Sequence, residues 1–108
     1  MPLLSPQPSP PSLRYNTLIH ACAKAGRPAD AEAAFARMQS KGIGADALSY
    51  SSVVSSHAKA GAPAAAQQWL DRMVAAGIAP DAVAYNTVCS AHARVGDARS
   101  ALATFRAM

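Results

Sequence analysis

Apolar residues recur along the chain at helical spacing, and then the whole pattern recurs. Tyr15, Leu18, Ile19 and Cys22 stand at i, i+3, i+4 and i+7, which gathers them into one stripe of a helix predicted from about Leu13 to Ala25. Gly26 is placed to stop that helix. Pro28 suits the first turn of a second helix, where a missing N–H costs nothing, and Ala31, Phe35 and Met38 give this helix its apolar edge. Gly42 then serves as a left-handed cap. The plan returns with Gly61, Pro63, Ala66, Leu70, Met73 and Gly77. In a third round Asp97 replaces the proline, and its carboxylate can cap the helix instead.

The recurrence is a true internal repeat. "YNTLIHACAKAG" from Tyr15 returns as "YSSVVSSHAKAG" from Tyr50 and as "YNTVCSAHARVG" from Tyr85, each 35 residues after the last. Residues 12–46 and 47–81 align without a gap at 14 identities in 35. Residues 82–108 form a partial third unit. Each unit is a helical hairpin whose apolar face only its neighbour can cover. The predicted fold is therefore all-α: an α-solenoid of about three 35-residue hairpins, the last one truncated. Residues 1–11, "MPLLSPQPSPP", contain five prolines and no charge, and read as an extended, disordered leader.

Composition narrows the function classes. A 108-residue solenoid buries a thin core, here built largely from alanine with one or two larger side chains per unit. Ten basic against six acidic residues give a net charge of +4, a mild bias toward anionic partners. Cys22 and Cys89 lie at helical apolar positions in different units, without metal-binding spacing, which predicts buried, unpaired thiols in a reducing compartment. No apolar run reaches membrane-spanning length and no secretory signal is present. Neither a nucleophile–base pair, a Gly-rich phosphate loop nor paired carboxylates occurs, so the chain does not read as an enzyme, and no cofactor is implied. Cys22, His57 and His92 occupy equivalent positions, but residues one hairpin apart are badly placed to meet around one ion, so no metal site is predicted.

The informative positions lie on the other side of the first helix. At about 100° per residue, Leu13, Asn16, His20 and Lys24 share one face, opposite Tyr15, Leu18 and Cys22. The next units offer Leu48, Ser51, Ser55 and Lys59, then Val83, Asn86, Ser90 and Arg94. Each row reads aliphatic, hydrogen-bonding, variable, cationic. Stacked, the rows predict a surface suited to a single strand of nucleic acid: apolar groups against base faces, short polar groups at base edges, cations along the phosphates.

The pattern "YNTLI…AKAGRPADAEAAFARMQSKGIGAD" resembles the pentatricopeptide repeat (PPR), and the likeness covers Ser12 to Met108. The tetratricopeptide repeat differs in period, at 34 residues, and its tryptophan and leucine-glycine signature is absent here. The resemblance implies that each unit reads one RNA base through the residue after the tyrosine and the last residue of the unit: Asn16 with Asp46, as in a uracil reader, and Ser51 with Asp81, closer to a guanine reader. Asn86 stands alone in the partial unit. Leu13, Leu48 and Val83 match positions that flank bases, and Lys24, Lys59 and Arg94 match a basic position near the phosphates. Gly44-Ala45 departs from the lysine-proline usual before the final aspartate.

The resemblance further implies single-stranded organellar RNA as the partner and a chloroplast or mitochondrial setting. Two complete pockets at roughly 1–3 kcal/mol per base supply at most about 6 kcal/mol, short of the roughly 8 kcal/mol of micromolar binding. Binding by this chain alone should be weak, as for a module of a longer protein or larger assembly. The alternative is a structural subunit of a large organellar complex, docking through the solenoid's open ends, which also invite self-association. For the named positions, plainer roles exist: Asp46 and Asp81 can cap the following helix, Lys24, Lys59 and Arg94 can favour a helix C-terminus, and Trp69 reads as packing.

Overall fold

A computed structural model describes residues 11–108 as six α-helices in three antiparallel pairs: α1 (Pro11–Lys24) with α2 (Pro28–Ser40), α3 (Ala47–Lys59) with α4 (Pro63–Ala75), and α5 (Ala82–Arg94) with α6 (Ala98–Ala107). Helix α1 begins at Pro11, two residues ahead of the expected start, because proline is tolerated where the N–H has no intrahelical partner. The rest of the proline-rich leader lies outside the described residues.

The turns follow from local chemistry. Gly26, Gly42, Gly61, Gly77 and Gly96 all adopt positive φ, between 68° and 81°, the left-handed cap that the sequence pattern requires. Pro28 and Pro63 open α2 and α4 without any side-chain cap. Asp97 does the same work for α6 by accepting from the Ser100 N–H at 3.0 Å.

Helices α1, α3 and α5 pack side by side as one layer, and α2, α4 and α6 lie over them. The core sits between the layers. Ile19, Phe35, Met38, Val53, Val54, Leu70, Met73 and Val88 are fully buried there. Phe35 is its centre, packed edge-on against both Tyr50 (centroids 4.9 Å apart) and Trp69 (4.8 Å). Arg72 covers the Trp69 ring at 3.9 Å.

Three expectations about burial need correction, because a face is covered only where a neighbouring helix or a large side chain reaches it. Leu18 is 47% exposed although it continues the apolar stripe of α1, whereas its counterparts Val53 and Val88 are buried against the preceding first helix. Tyr50 is buried, but Tyr15 and Tyr85 are only half-buried at the edge of the core. Cys22 and Cys89 are free thiols, half-buried rather than buried.

Candidate nucleic-acid interface

The residues singled out for base reading lie along the α1–α3–α5 layer, but at different depths. Asn86 is exposed, Ser51 is half-buried and Asn16 is only 4% exposed. Asn16 is thus not the surface residue its own helix would make it, because the start of the second unit closes over it.

What closes over Asn16 is a compact hydrogen-bond network at the N-terminus of α3. The Asn16 amide nitrogen donates to the two Asp46 carboxylate oxygens at 3.1 and 3.3 Å. A carboxylate only accepts, so the amide must present its nitrogen to it, leaving Oδ1 to accept from the Ser49 hydroxyl. Asp46 meanwhile caps α3: its Oδ1 accepts from the Ser49 N–H at 3.1 Å, and its own N–H donates to the Ser49 hydroxyl at 3.2 Å, a complete capping box. The aspartate therefore joins the α3 cap to Asn16 of the preceding helix, with Gly44-Ala45 before it.

Ser49 is the member that sequence reasoning missed. It is fully buried, and it aligns with Arg14 in the first unit and Ala84 in the third, so the repeat pattern gave it no weight. The available signal was local: a serine three residues after an aspartate at a helix start.

Burial alone would raise the Asp46 carboxyl, but the Ser49 backbone, Ser49 hydroxyl and Asn16 amide bonds outweigh it and hold the group below the ordinary aspartate range. Asp97 is also held low, by Ser100. A depressed folded-state value means stability that is present above the unfolded value, near pH 4, and lost as pH falls through the folded one. Acid titration of thermal stability should therefore show a decline beginning below about pH 4, and Asp46→Asn should remove part of it. A melting temperature flat from pH 6 to pH 2.5 would contradict the network.

The second aspartate has a simpler setting. Asp81 is exposed and caps α5 by accepting from the Ala84 N–H at 2.9 Å. Ser51 turns back to donate to the Ala47 carbonyl. Asp81 and Ser51 nevertheless line one groove of about 400 Å³ with Leu48, Lys24, Lys59 and Val83. A second groove of about 500 Å³ continues along the layer between Lys59, Val83, Asn86 and Arg94. Leu13, Leu48 and Val83 are 49%, 50% and 70% exposed.

The cations stand in the last turns of α1, α3 and α5. Lys59 reaches across to donate to the Lys24 carbonyl, so it satisfies the end of the neighbouring helix while staying exposed at the groove. On the buried side, equivalent positions take different partners: His57 Nε2 lies 2.8 Å from a Glu32 oxygen, and His92 Nε2 lies 3.4 Å from Gln67 Oε1.

Comparison with known proteins places this architecture. Models of the PPR repeat family match residues 12–59, of the PPR repeat residues 48–78, and of the pentatricopeptide repeat domain residues 68–108. Comparison with curated proteins returns no match. Among solved structures, the pentatricopeptide repeat protein PPR10 from maize superposes with a TM-score of 0.82 at 30% identity, over 92% of this chain and 14% of that one. PPR10 in complex with an 18-nt psaJ RNA element gives a TM-score of 0.74 at 29% identity, over 96% of this chain and 16% of PPR10. The chain thus spans about a seventh of the length of these relatives. Period, hairpin geometry and family matches agree, and the chain belongs to the pentatricopeptide repeat family.

Proposed function

We propose that the chain is a helical repeat module that binds single-stranded RNA along its α1–α3–α5 layer, acting within a longer protein or a larger assembly in an organelle. One observation carries this: the aliphatic, polar and cationic rows come together on one side of the stack, where Leu48, Ser51, Lys59, Asp81 and Val83 share a groove that runs on toward Asn86 and Arg94. The RNA-bound form of a relative with the same hairpin geometry supports the choice of ligand. In this reading Leu13, Leu48 and Val83 flank bases, Lys24, Lys59 and Arg94 lie near phosphates, and Asn16 with Asp46 and Ser51 with Asp81 meet base edges. Asn86 supplies half of a third pocket.

The two pockets differ in character. In the first, Asp46 is the exposed polar member, while Asn16 stands behind it and is held by Ser49. In the second, Ser51 and Asp81 are not bonded to each other, and no hydroxyl stands at Ala84 to hold them.

Ser51→Asn gives the second unit the polar pair of the first. We expect it to move the preference at that base from guanine toward uracil by roughly tenfold, with little change for the neighbouring base. The measurement is NMR titration with tetranucleotides that differ at a single position. Equal change for all four bases would count against base reading there.

A second reading, as a docked structural subunit, is favoured by the outer face of α6, where Leu102, Phe105 and Met108 are 50%, 58% and 49% exposed. Val88 of α5 does not join that surface: it is fully buried. Its neighbour could be a further repeat, another protein or a second copy. Identifying whether RNA or large-complex subunits copurify with the native protein separates this reading from the first.

A further inference from the structure

The two junctions between units use equivalent positions and fill them differently. At the first, Trp69 of α4 turns back onto Phe35 of α2 and Tyr50 of α3, with centroids 4.8 and 6.3 Å away, and Arg72 covers the indole. Thirty-five residues on, Thr104 stands in place of Trp69, Ala107 in place of Arg72, and Leu70 where the first junction has Phe35. An open groove of about 620 Å³ is left between α4 and α6, lined by Leu70, Val74, Tyr85, His92, Thr104 and Ala107. Tyr85 is only half-buried because no indole covers it.

The groove's polar edge is also particular to this junction. Thr104 Oγ1 donates to Gln67 Oε1 at 3.0 Å, and the Gln67 amide nitrogen donates to Asp71 Oδ1 at 3.0 Å. Buried His92 Nδ1 has no partner among the described residues. Asp71 is exposed at the rim and aligns with Ala36, so this groove carries a carboxylate that the first junction lacks.

We infer that the α4–α6 groove is a docking site for a protein segment presenting a tryptophan-like side chain with a basic side chain about one helical turn away. The first junction shows the shape that fits: an indole edge-on to Phe35 and tilted against Tyr50, with a cation above it. Asp71 supplies the complementary charge. No Lys or Arg lines the groove, and a carboxylate at its rim repels phosphate, so a peptide is favoured over a nucleobase. A second copy cannot supply the indole, because the chain's single tryptophan is buried. The groove shares no lining residue with the two grooves along the α1–α3–α5 layer, so docking there does not depend on RNA binding.

The test titrates the isotope-labelled 108-residue chain with the peptides acetyl-Trp-Ala-Ala-Arg-amide and acetyl-Trp-amide. Saturable amide shifts are expected at Val74, Tyr85 and Thr104, with the arginine-bearing probe binding at least threefold tighter and Asp71→Asn removing that difference. The variant Thr104→Trp/Ala107→Arg fills the groove from within; it should raise the melting temperature by about 4 °C or more and abolish the shifts. No shifts in the native chain, shifts elsewhere, or undiminished shifts in a folded filled variant would overturn the proposal. So would groove shifts produced by single-stranded RNA instead of peptide, or by raising protein concentration alone. If the double variant fails to fold, the native titration and Asp71→Asn decide.

Discussion

Trp69→Ala should cost about 3–5 kcal/mol and leave the chain without a cooperative unfolding transition at 25 °C. The indole is 6% exposed and closes the aromatic cluster with Phe35 and Tyr50 that joins the first two units. Truncating a buried tryptophan loses its transfer free energy and leaves a cavity. A thin three-hairpin stack starts near the low end of the 5–15 kcal/mol typical of domains, so this loss consumes most of what it has. Phe105→Ala makes the contrast: a phenylalanine that is 58% exposed on the outer face of α6 should change stability by less than about 1 kcal/mol. Urea titration followed by circular dichroism checks both, and a Trp69→Ala protein melting within a few degrees of the native one would show that the cluster is not the core.

The second large effect concerns the cations. Replacing Lys24, Lys59 and Arg94 together with alanine should weaken single-stranded RNA of every sequence alike and flatten the salt dependence of binding. Each phosphate neutralised on a single strand contributes about 0.7 to the slope of log K against log salt, so losing three should lower that slope by roughly 2. Between 50 and 200 mM salt the native chain should lose affinity about twentyfold more steeply than the variant. Lys59 also holds the Lys24 carbonyl, so the variant must be shown to keep its helix content. An unchanged slope would remove these three residues from the phosphate path.

Much of the fold is legible in the sequence, because its causes are local. The glycines that stop the helices, the prolines that open α2 and α4, and the Asp97 cap each act within a turn or two of themselves. The 35-residue period then implies stacking. Depth within the stack is not legible in the same way. Helical phase puts Asn16 on a solvent face of α1, but residues 30 and 33 positions later bury it. Leu18 errs in the opposite sense, apolar by phase and yet uncovered. Both outcomes depend on how far each hairpin overlaps the last, a property of the superhelix that no single helix carries. Ser49 was hidden for a related reason: its role belongs to one junction and is absent at its counterparts Arg14 and Ala84. Trp69 was recognisable as packing, whereas its consequence, a filled first junction and an open second one, needs both junctions side by side.

Single-stranded RNA is proposed to occupy the α1–α3–α5 layer. Amide shift mapping of the 108-residue chain against a short single-stranded RNA at low salt tests it most directly, since it registers even millimolar binding and reports where binding occurs. Saturable shifts are expected at Ser51, Lys59, Val83, Asn86 and Arg94, reduced at 200 mM salt, with α2, α4 and α6 unmoved. Shifts confined to α2, α4 or α6, or none at all at millimolar RNA, would contradict it.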